Sequence, residues 1–146
     1  DLKIFPYPFI EGSVDLILAN AVLEHLSIDN QKLFLGECWR ILKKDGVLEI
    51  RVPHYTSPHS VNNIEHVKGF SYRTFDAYVD FGVQHSQEDY MVEHKFSSIK
   101  RKLVFGKGIN LLNYLIEPLV NKFPDAYEQS VLSAWVCEGV HVWLTK

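Results

Sequence analysis

One short stretch near the start of the chain, residues 14–19 (VDLILA), limits what the whole chain can fold into. Its residues are apolar except for Asp15. A nearly continuous apolar run is typical of a parallel β-strand covered on both faces, because a strand with one face in water alternates apolar and polar residues. The run therefore predicts an α/β fold in which this strand lies inside a sheet.

The residues that follow complete a strand–helix–strand unit. Ser27 offers a helix cap, and apolar residues then recur at helical spacing over residues 30–43. Asp45 and Gly46 are predicted to stop this helix. Residues 47–52 then predict a second strand, which makes the unit a βαβ crossover with parallel strands.

The second half of the chain predicts four further elements. Residues 71–81 have helical spacing, and residues 109–123 form an amphipathic pattern that Pro118 is expected to kink or divide. Residues 96–105 and 140–144 are predicted strands that pair antiparallel at one edge of the sheet. The lysines within residues 96–105 suit an edge position. We expect one α/β domain, with parallel strands, an antiparallel edge pair, and helices on the faces.

Composition excludes several classes of function. With 146 residues the chain is long enough for one domain with its own core. A net charge of −3 argues against non-specific nucleic-acid binding, and no stretch approaches the roughly 18–20 apolar residues of a membrane span. Cys38 and Cys137 match no metal-binding spacing, so we expect buried, reduced thiols in a cytoplasmic protein.

The predicted strand at residues 14–19 also raises a question about the sheet edge. With only the elements in this chain, so apolar a strand would lie at or near an exposed edge, which is an aggregation hazard. We expect that residues preceding Asp1 in a larger α/β domain cover this edge. The alternative is that two copies pair through the edge near Val14.

Two segments carry a resemblance to a known family. They are PYPFIEGSVDLILANAVLEHL and, after the helix, ECWRILKKDGVLEIRVPH. Residues 1–54 resemble the S-adenosylmethionine-dependent methyltransferases with the class I, Rossmann-like fold, and most of all their ubiquinone/menaquinone-type subgroup. Matching positions are Asp1, Pro8-Phe9, Val14-Asp15, Leu23-Glu24-His25, Glu37, Arg40, Leu42-Lys43 and Gly46.

Departures from the family pattern are mild. Val14 stands where Phe is usual, and Lys44-Asp45 where Pro-Gly is common. Residues 65–70 (EHVKGF) resemble, more loosely, an element of some members in which His is followed after two or three residues by Phe. The glycine-rich cofactor loop of the family has no counterpart, since the Gly-x-Gly at residues 106–108 reads as a turn.

The resemblance implies that the chain is the C-terminal part of a single methyltransferase domain, with a partial Rossmann-like sheet. Its cofactor would be S-adenosylmethionine, and its acceptor a small molecule, because no basic stripe favours nucleic acid. The isolated chain is expected to bind the cofactor weakly or not at all. The competing interpretation is a catalytically silent α/β module that binds a partner, or itself, through the open sheet edge.

Candidate cofactor-binding residues follow from the resemblance and from the rule that ligands bind beyond the carboxyl ends of parallel strands. That rule predicts that residues 20–25 and 53–59 line one crevice. The resemblance implies that Asp1 and Leu2 contact the adenine, with the backbone of Asn20 and Ala21 near the methionine end. Glu24 is a further candidate cofactor-binding residue.

Three histidines, His25, His54 and His66, are candidates for a catalytic role, since a base is needed when the acceptor must lose a proton. On a helix Glu24 and His25 would point about 100° apart, so we expect His25 to face the cleft and Glu24 to cap or pair. A zinc site made by His54, His59 and His66 is the alternative for the loop. Their spacing fits no established zinc pattern, so no metal is predicted.

Overall fold

A computed structural model describes residues 1–81, 94–106 and 111–146. Its strands are β1 (Val14–Asn20), β2 (Leu42–Pro53), β3 (Ser98–Val104) and β4 (Gly139–Thr145), in the sheet order β1-β2-β4-β3. β1 and β2 are parallel, whereas β4 runs antiparallel to both of its neighbours. The predicted α/β class and the antiparallel pairing at one edge are therefore confirmed.

The helix between the parallel strands, α1 (Ile28–Ile41), begins as predicted and ends earlier. The Ser27 side chain caps it by accepting a hydrogen bond from the Asn30 amide at 3.3 Å. The predicted end near Lys43 is wrong because Leu42 is fully buried and already pairs with Val14. The next residues bulge out of the β1–β2 ladder, which resumes at Leu16 and Val47.

The helix predicted over residues 71–81 is also wrong. The structure has a single 3₁₀ turn there, Asp76–Tyr78. Phe75 and Val79 are buried in the core, but the backbone after the turn is extended and forms a bridge between Val79 and Phe96. Their helical spacing thus reflects contacts with the core and not a helix.

The C-terminal half covers the other end of the sheet. Of the kink or division expected at Pro118, the division is absent, because α2 (Asn113–Lys122) is one helix through this residue and α3 (Pro124–Glu128) follows it. The Asn121 side chain bonds both backbone groups of Leu103 at 2.8 Å, which ties α2 to β3. Predicted positions at residues 107–110, including part of the Gly-x-Gly turn, lie outside the described residues.

A single core forms between the sheet and the segments that pack on it. The strand side chains without exposed surface all belong to this core, and they are Leu42, Leu48, Ile50, Leu103, Val140, Val142 and Leu144. Cys38 and Cys137 are free and buried, and burial raises the pKa of each thiol to about 12. Across residues 1–81, 94–106 and 111–146, the structure contains no helix with the length and apolar character needed to span a bilayer.

β1 lies at an edge of the sheet and not in its interior. It pairs with β2 on one side, and within the described residues no strand pairs with its other side. Leu16 and Leu18 are 59% and 56% exposed, although they belong to the most apolar strand of the sequence. The described part of the chain therefore leaves one edge and part of one face of the sheet uncovered.

Truncating Leu18 in the 146-residue chain should cost little stability, whereas truncating Leu48, with no exposed surface, should cost much more. We expect Leu48→Ala to lower the free energy of unfolding by about 2–5 kcal/mol, and Leu18→Ala by less than about 1 kcal/mol. Urea unfolding of the two variants tests this. Equal losses would show that the Leu18 face is covered in solution.

Candidate functional site

A groove runs along the carboxyl ends of β1 and β2. The parallel pairing places Asn20 opposite Arg51, so the segments that follow each strand leave the sheet side by side. The groove has a volume of about 350 Å³, and an adjoining hollow of about 660 Å³ shares Ala21 and His25 with it. The crevice expected from residues 20–25 and 53–59 is therefore present.

Ala21 turns the chain sharply out of β1. Its φ is 54°, in the left-handed region that residues with a Cβ seldom adopt, and its amide donates to the Arg51 carbonyl at 3.0 Å. Strained backbone of this kind occurs often at ligand sites, where the surrounding structure holds it in place. The sequence carries no signal for it, because alanine does not favour this conformation.

The next residues, Leu23–His25, form a 3₁₀ turn that is held from behind. Leu23 is fully buried, and the Gln31 side-chain amide donates to the Leu23 and Leu26 carbonyls, each at 2.9 Å. Glu24 and His25 both line the groove. The prediction that only one of them would face it is wrong, because the tight turn brings both side chains to the same side.

His66 reaches the groove because the loop after β2 folds back over it. His54 and Phe70 form a bridge, and the Val67 amide donates to the Glu24 carbonyl at 2.8 Å. Gly69 permits this close return, since a Cβ there would lie 2.5 Å from the Cα of Tyr55. The His25 and His66 rings then meet edge to face, with their centroids 4.6 Å apart.

Glu24, His25 and His66 form a polar cluster in which one nitrogen or oxygen atom from each side chain lies within 4.8 Å of the other two. Glu24 is only 2% exposed. Within the described residues, neither Glu24 Oε2 nor His66 Nδ1 has a hydrogen-bond partner. Glu65 adds a second carboxylate, with Oε2 3.8 Å from His25 Nδ1.

His54 lies elsewhere, which differs from the expectation that it faces the acceptor. It has no exposed surface and does not line the groove. Its Nδ1 lies 2.8 Å from Thr56 Oγ1 and its Nε2 2.9 Å from Glu128 Oε1, which also accepts from the Tyr72 amide at 2.7 Å. With both ring nitrogens engaged, His54 connects the loop after β2 to α3.

The remaining predicted cofactor residues lie at the groove and the hollow. Asn20 lines the groove, and Asp1 and Leu2 line the hollow beside Ala21. Asp1 Oδ1 also accepts from the Lys3 amide at 3.0 Å. The three residues therefore lie along one continuous surface.

Sequence reasoning missed the far wall of the groove, which includes Arg51, Glu138 and His141. β4 inserts between β2 and β3, and its pairing places His141 beside Arg51. Half-burial, with a smaller contribution from the Arg51 charge, lowers the pKa of His141 below its ordinary value, which favours the neutral ring. Knowing that the last strand pairs with β2 would have placed His141 at the groove. The spacing of apolar residues does not identify that pairing.

Comparison with known proteins gives one partial sequence match. Residues 2–50 match a family model described as a methyltransferase domain. This segment contains β1, the turn with Glu24 and His25, α1 and most of β2. A search of curated proteins gave no match.

Several solved structures have a fold similar to that of this chain. A SAM-dependent methyltransferase from Archaeoglobus fulgidus is 14% identical with a TM-score of 0.59, over 94% of this chain and 62% of that one. A putative methyltransferase from Bacillus halodurans is 12% identical with a TM-score of 0.52, over 100% and 69%. The small RNA methyltransferase HEN1 is 13% identical with a TM-score of 0.53, over 97% and 15%.

These likenesses define the class of fold. The four-stranded sheet and its helices correspond to part of a methyltransferase domain. The chain spans 62% of the Archaeoglobus fulgidus structure, so these relatives contain segments beyond the matched part. The family model covers residues 2–50, and the solved structures show that the chain shares their fold.

Replacing His54 tests whether it is a structural residue. We expect His54→Ala to lower the free energy of unfolding by about 2–3 kcal/mol, because it opens a cavity and leaves the Glu128 carboxylate with one partner fewer. His59→Ala, at an exposed position, should change it by less than about 0.5 kcal/mol. Urea denaturation measures both variants. An unchanged stability for His54→Ala would contradict the structural role.

Proposed function

We propose that this protein is an S-adenosylmethionine-dependent methyltransferase of the ubiquinone/menaquinone type, and that this chain forms the C-terminal part of its domain. One observation carries the proposal. The segment that matches the methyltransferase family model, residues 2–50, supplies one wall of the groove and most of the polar groups at the end of β1.

The residues present fit the cofactor. The adjoining hollow of about 660 Å³ lies within the usual range for small-molecule sites, roughly 300–1,000 Å³. Asp1 offers a carboxylate acceptor for the adenine amino group, with Leu2 beside it. The left-handed backbone at Ala21 lets the chain pass close to a ligand at the carboxyl ends of the strands. Asn20 and Glu24 line the groove beside this hollow.

The chemistry needs little from the protein beyond placement. When bound, S-adenosylmethionine supplies a methyl group that is already activated for in-line transfer. The groove residues orient the acceptor and exclude water from it. His25 and His66 face the groove and can take a proton from an acceptor hydroxyl. His54 acts as a positioning residue, because it holds the loop that carries His66.

The proposed acceptor is a small molecule, and the proposed location is the cytoplasm. The groove holds about 350 Å³, which suits a small ligand. A net charge of −3 gives no electrostatic attraction for a nucleic-acid backbone or an anionic membrane surface.

The exposed edge of β1 belongs to the same proposal. Residues preceding Asp1 would add strands to this edge and contribute the glycine-rich cofactor loop, thereby burying Leu16 and Leu18. The same exposed leucines favour a second candidate, a silent module that pairs through β1 with a partner or a second copy. Sizing the 146-residue chain over a range of concentrations tests that candidate, since a monomer at all of them counts against self-pairing.

Calorimetric titration with S-adenosylmethionine tests the proposed function. The protein at its natural length should bind one equivalent, and Asp1→Ala should weaken binding roughly tenfold by removing a charged hydrogen-bond acceptor. Asp15→Ala is the matched control. It removes an exposed carboxylate that pairs with Lys43 and lies outside the groove and the hollow, so it should leave binding unchanged.

Two results would contradict the proposal. One is the absence of S-adenosylmethionine binding to the folded protein at its natural length. The other is equal binding by the parent protein and Asp1→Ala. The 146-residue chain alone should bind weakly or not at all, and micromolar binding would show that the preceding residues are not needed for the cofactor site.

A further inference from the structure

We propose that Glu24, His25 and His66 hold a divalent transition-metal cation in the groove. The three side chains come from two separate segments, the 3₁₀ turn after β1 and the loop after β2. One donor atom from each residue lies within 4.8 Å of the other two. This trio shares only His66 with the histidine set that the loop sequence suggested for zinc.

The first argument is the burial of unpaired polar atoms. Glu24 is almost fully buried, and within the described residues its Oε2 has no hydrogen-bond partner. The same holds for His66 Nδ1. A buried carboxylate without a partner is costly, and proteins offset this cost by pairing the charge or by coordinating a metal. A cation between these atoms would satisfy both of them at once.

The second argument is the chemistry of the donor set. Two imidazoles and one carboxylate are a common ligand set for Zn²⁺ and other divalent transition metals. Ligand atoms sit about 2.0–2.2 Å from Zn²⁺, which places them roughly 3–4 Å from one another. Small side-chain rotations would close the present separations to that range.

The third argument is the electrostatic surroundings. The Glu65 carboxylate lies 3.8 Å from His25 Nδ1 and adds negative charge beside the cluster. Arg51 is the nearby cation of the groove wall, and its Nε donates to Glu49 at 2.7 Å, which offsets its charge. The site therefore has an excess of negative charge when both imidazoles are neutral.

The backbone holds the two halves of the cluster together. The Val67 amide donates to the carbonyl of Glu24 itself, so the residue next to His66 is fixed to the turn that carries the other two ligands. Gln31 fixes that turn from the opposite side. Three protein ligands leave at least one coordination position for water or for an oxygen atom of a bound molecule, as in catalytic zinc sites. With the cation bound, His25 and His66 would be its ligands, and the cation would lower the pKa of an acceptor hydroxyl in their place. The role of these two imidazoles as bases therefore applies to the cation-free protein.

Titration of the protein at its natural length with Zn²⁺ and Co²⁺ tests this site. The protein is first treated with a chelator, and no S-adenosylmethionine is present. We expect one equivalent to bind, with visible absorption bands of low-symmetry Co²⁺. Glu24→Gln and His66→Gln should each weaken binding by roughly tenfold or more. His59→Gln, which changes an exposed histidine of the same groove, is the control and should bind as the parent does.

Far-UV circular dichroism shows which variants are folded, and only folded variants are compared. Zn²⁺ should raise the unfolding temperature of the parent protein more than that of Glu24→Gln. The proposal is overturned if the parent shows no saturable binding, or if Glu24→Gln and His66→Gln bind as tightly as the parent. A protein that binds S-adenosylmethionine but no cation would overturn this inference alone. A protein that binds the cation but no S-adenosylmethionine would overturn only the proposed function.

Discussion

The parallel pairing of β1 with β2 is the constraint on which the rest of the structure depends. Because the two strands run in the same direction, their carboxyl ends meet at one edge of the sheet, with Asn20 opposite Arg51. The chain leaves β1 through the left-handed Ala21 and enters the turn that carries Glu24 and His25. A register shifted by one residue would turn Asn20 and the other side chains of β1 to the opposite face of the sheet.

The loop after β2 then converts this strand edge into a site. It returns over the turn through the Val67–Glu24 hydrogen bond and the bridge between His54 and Phe70. The hydrogen bond between His54 and Glu128 fixes the start of this loop to α3. A histidine after a strand end suggests a catalytic role from the sequence. The burial of His54 and its two hydrogen-bond partners favour a structural role instead.

Much of the fold could be predicted from local patterns, and the failures have physical causes. The apolar run of β1 and the Ser27 cap are local signals, and the structure contains both elements. The predicted helix over residues 71–81 is absent because Phe75 and Val79 have helical spacing in the sequence but are buried from a 3₁₀ turn and an extended segment. The groove wall that contains His141 depends on β4 inserting beside β2, a long-range pairing without a local signal.

In the proposed function, the groove at the ends of β1 and β2 binds S-adenosylmethionine. The most direct measurement is a crystal structure of the protein at its natural length with S-adenosylhomocysteine bound. The proposed function predicts that the ligand lies along Asn20 and Ala21 with its adenine beside Asp1, and that preceding residues pair with the free edge of β1. A ligand bound elsewhere, or a β1 edge that stays open, would contradict it.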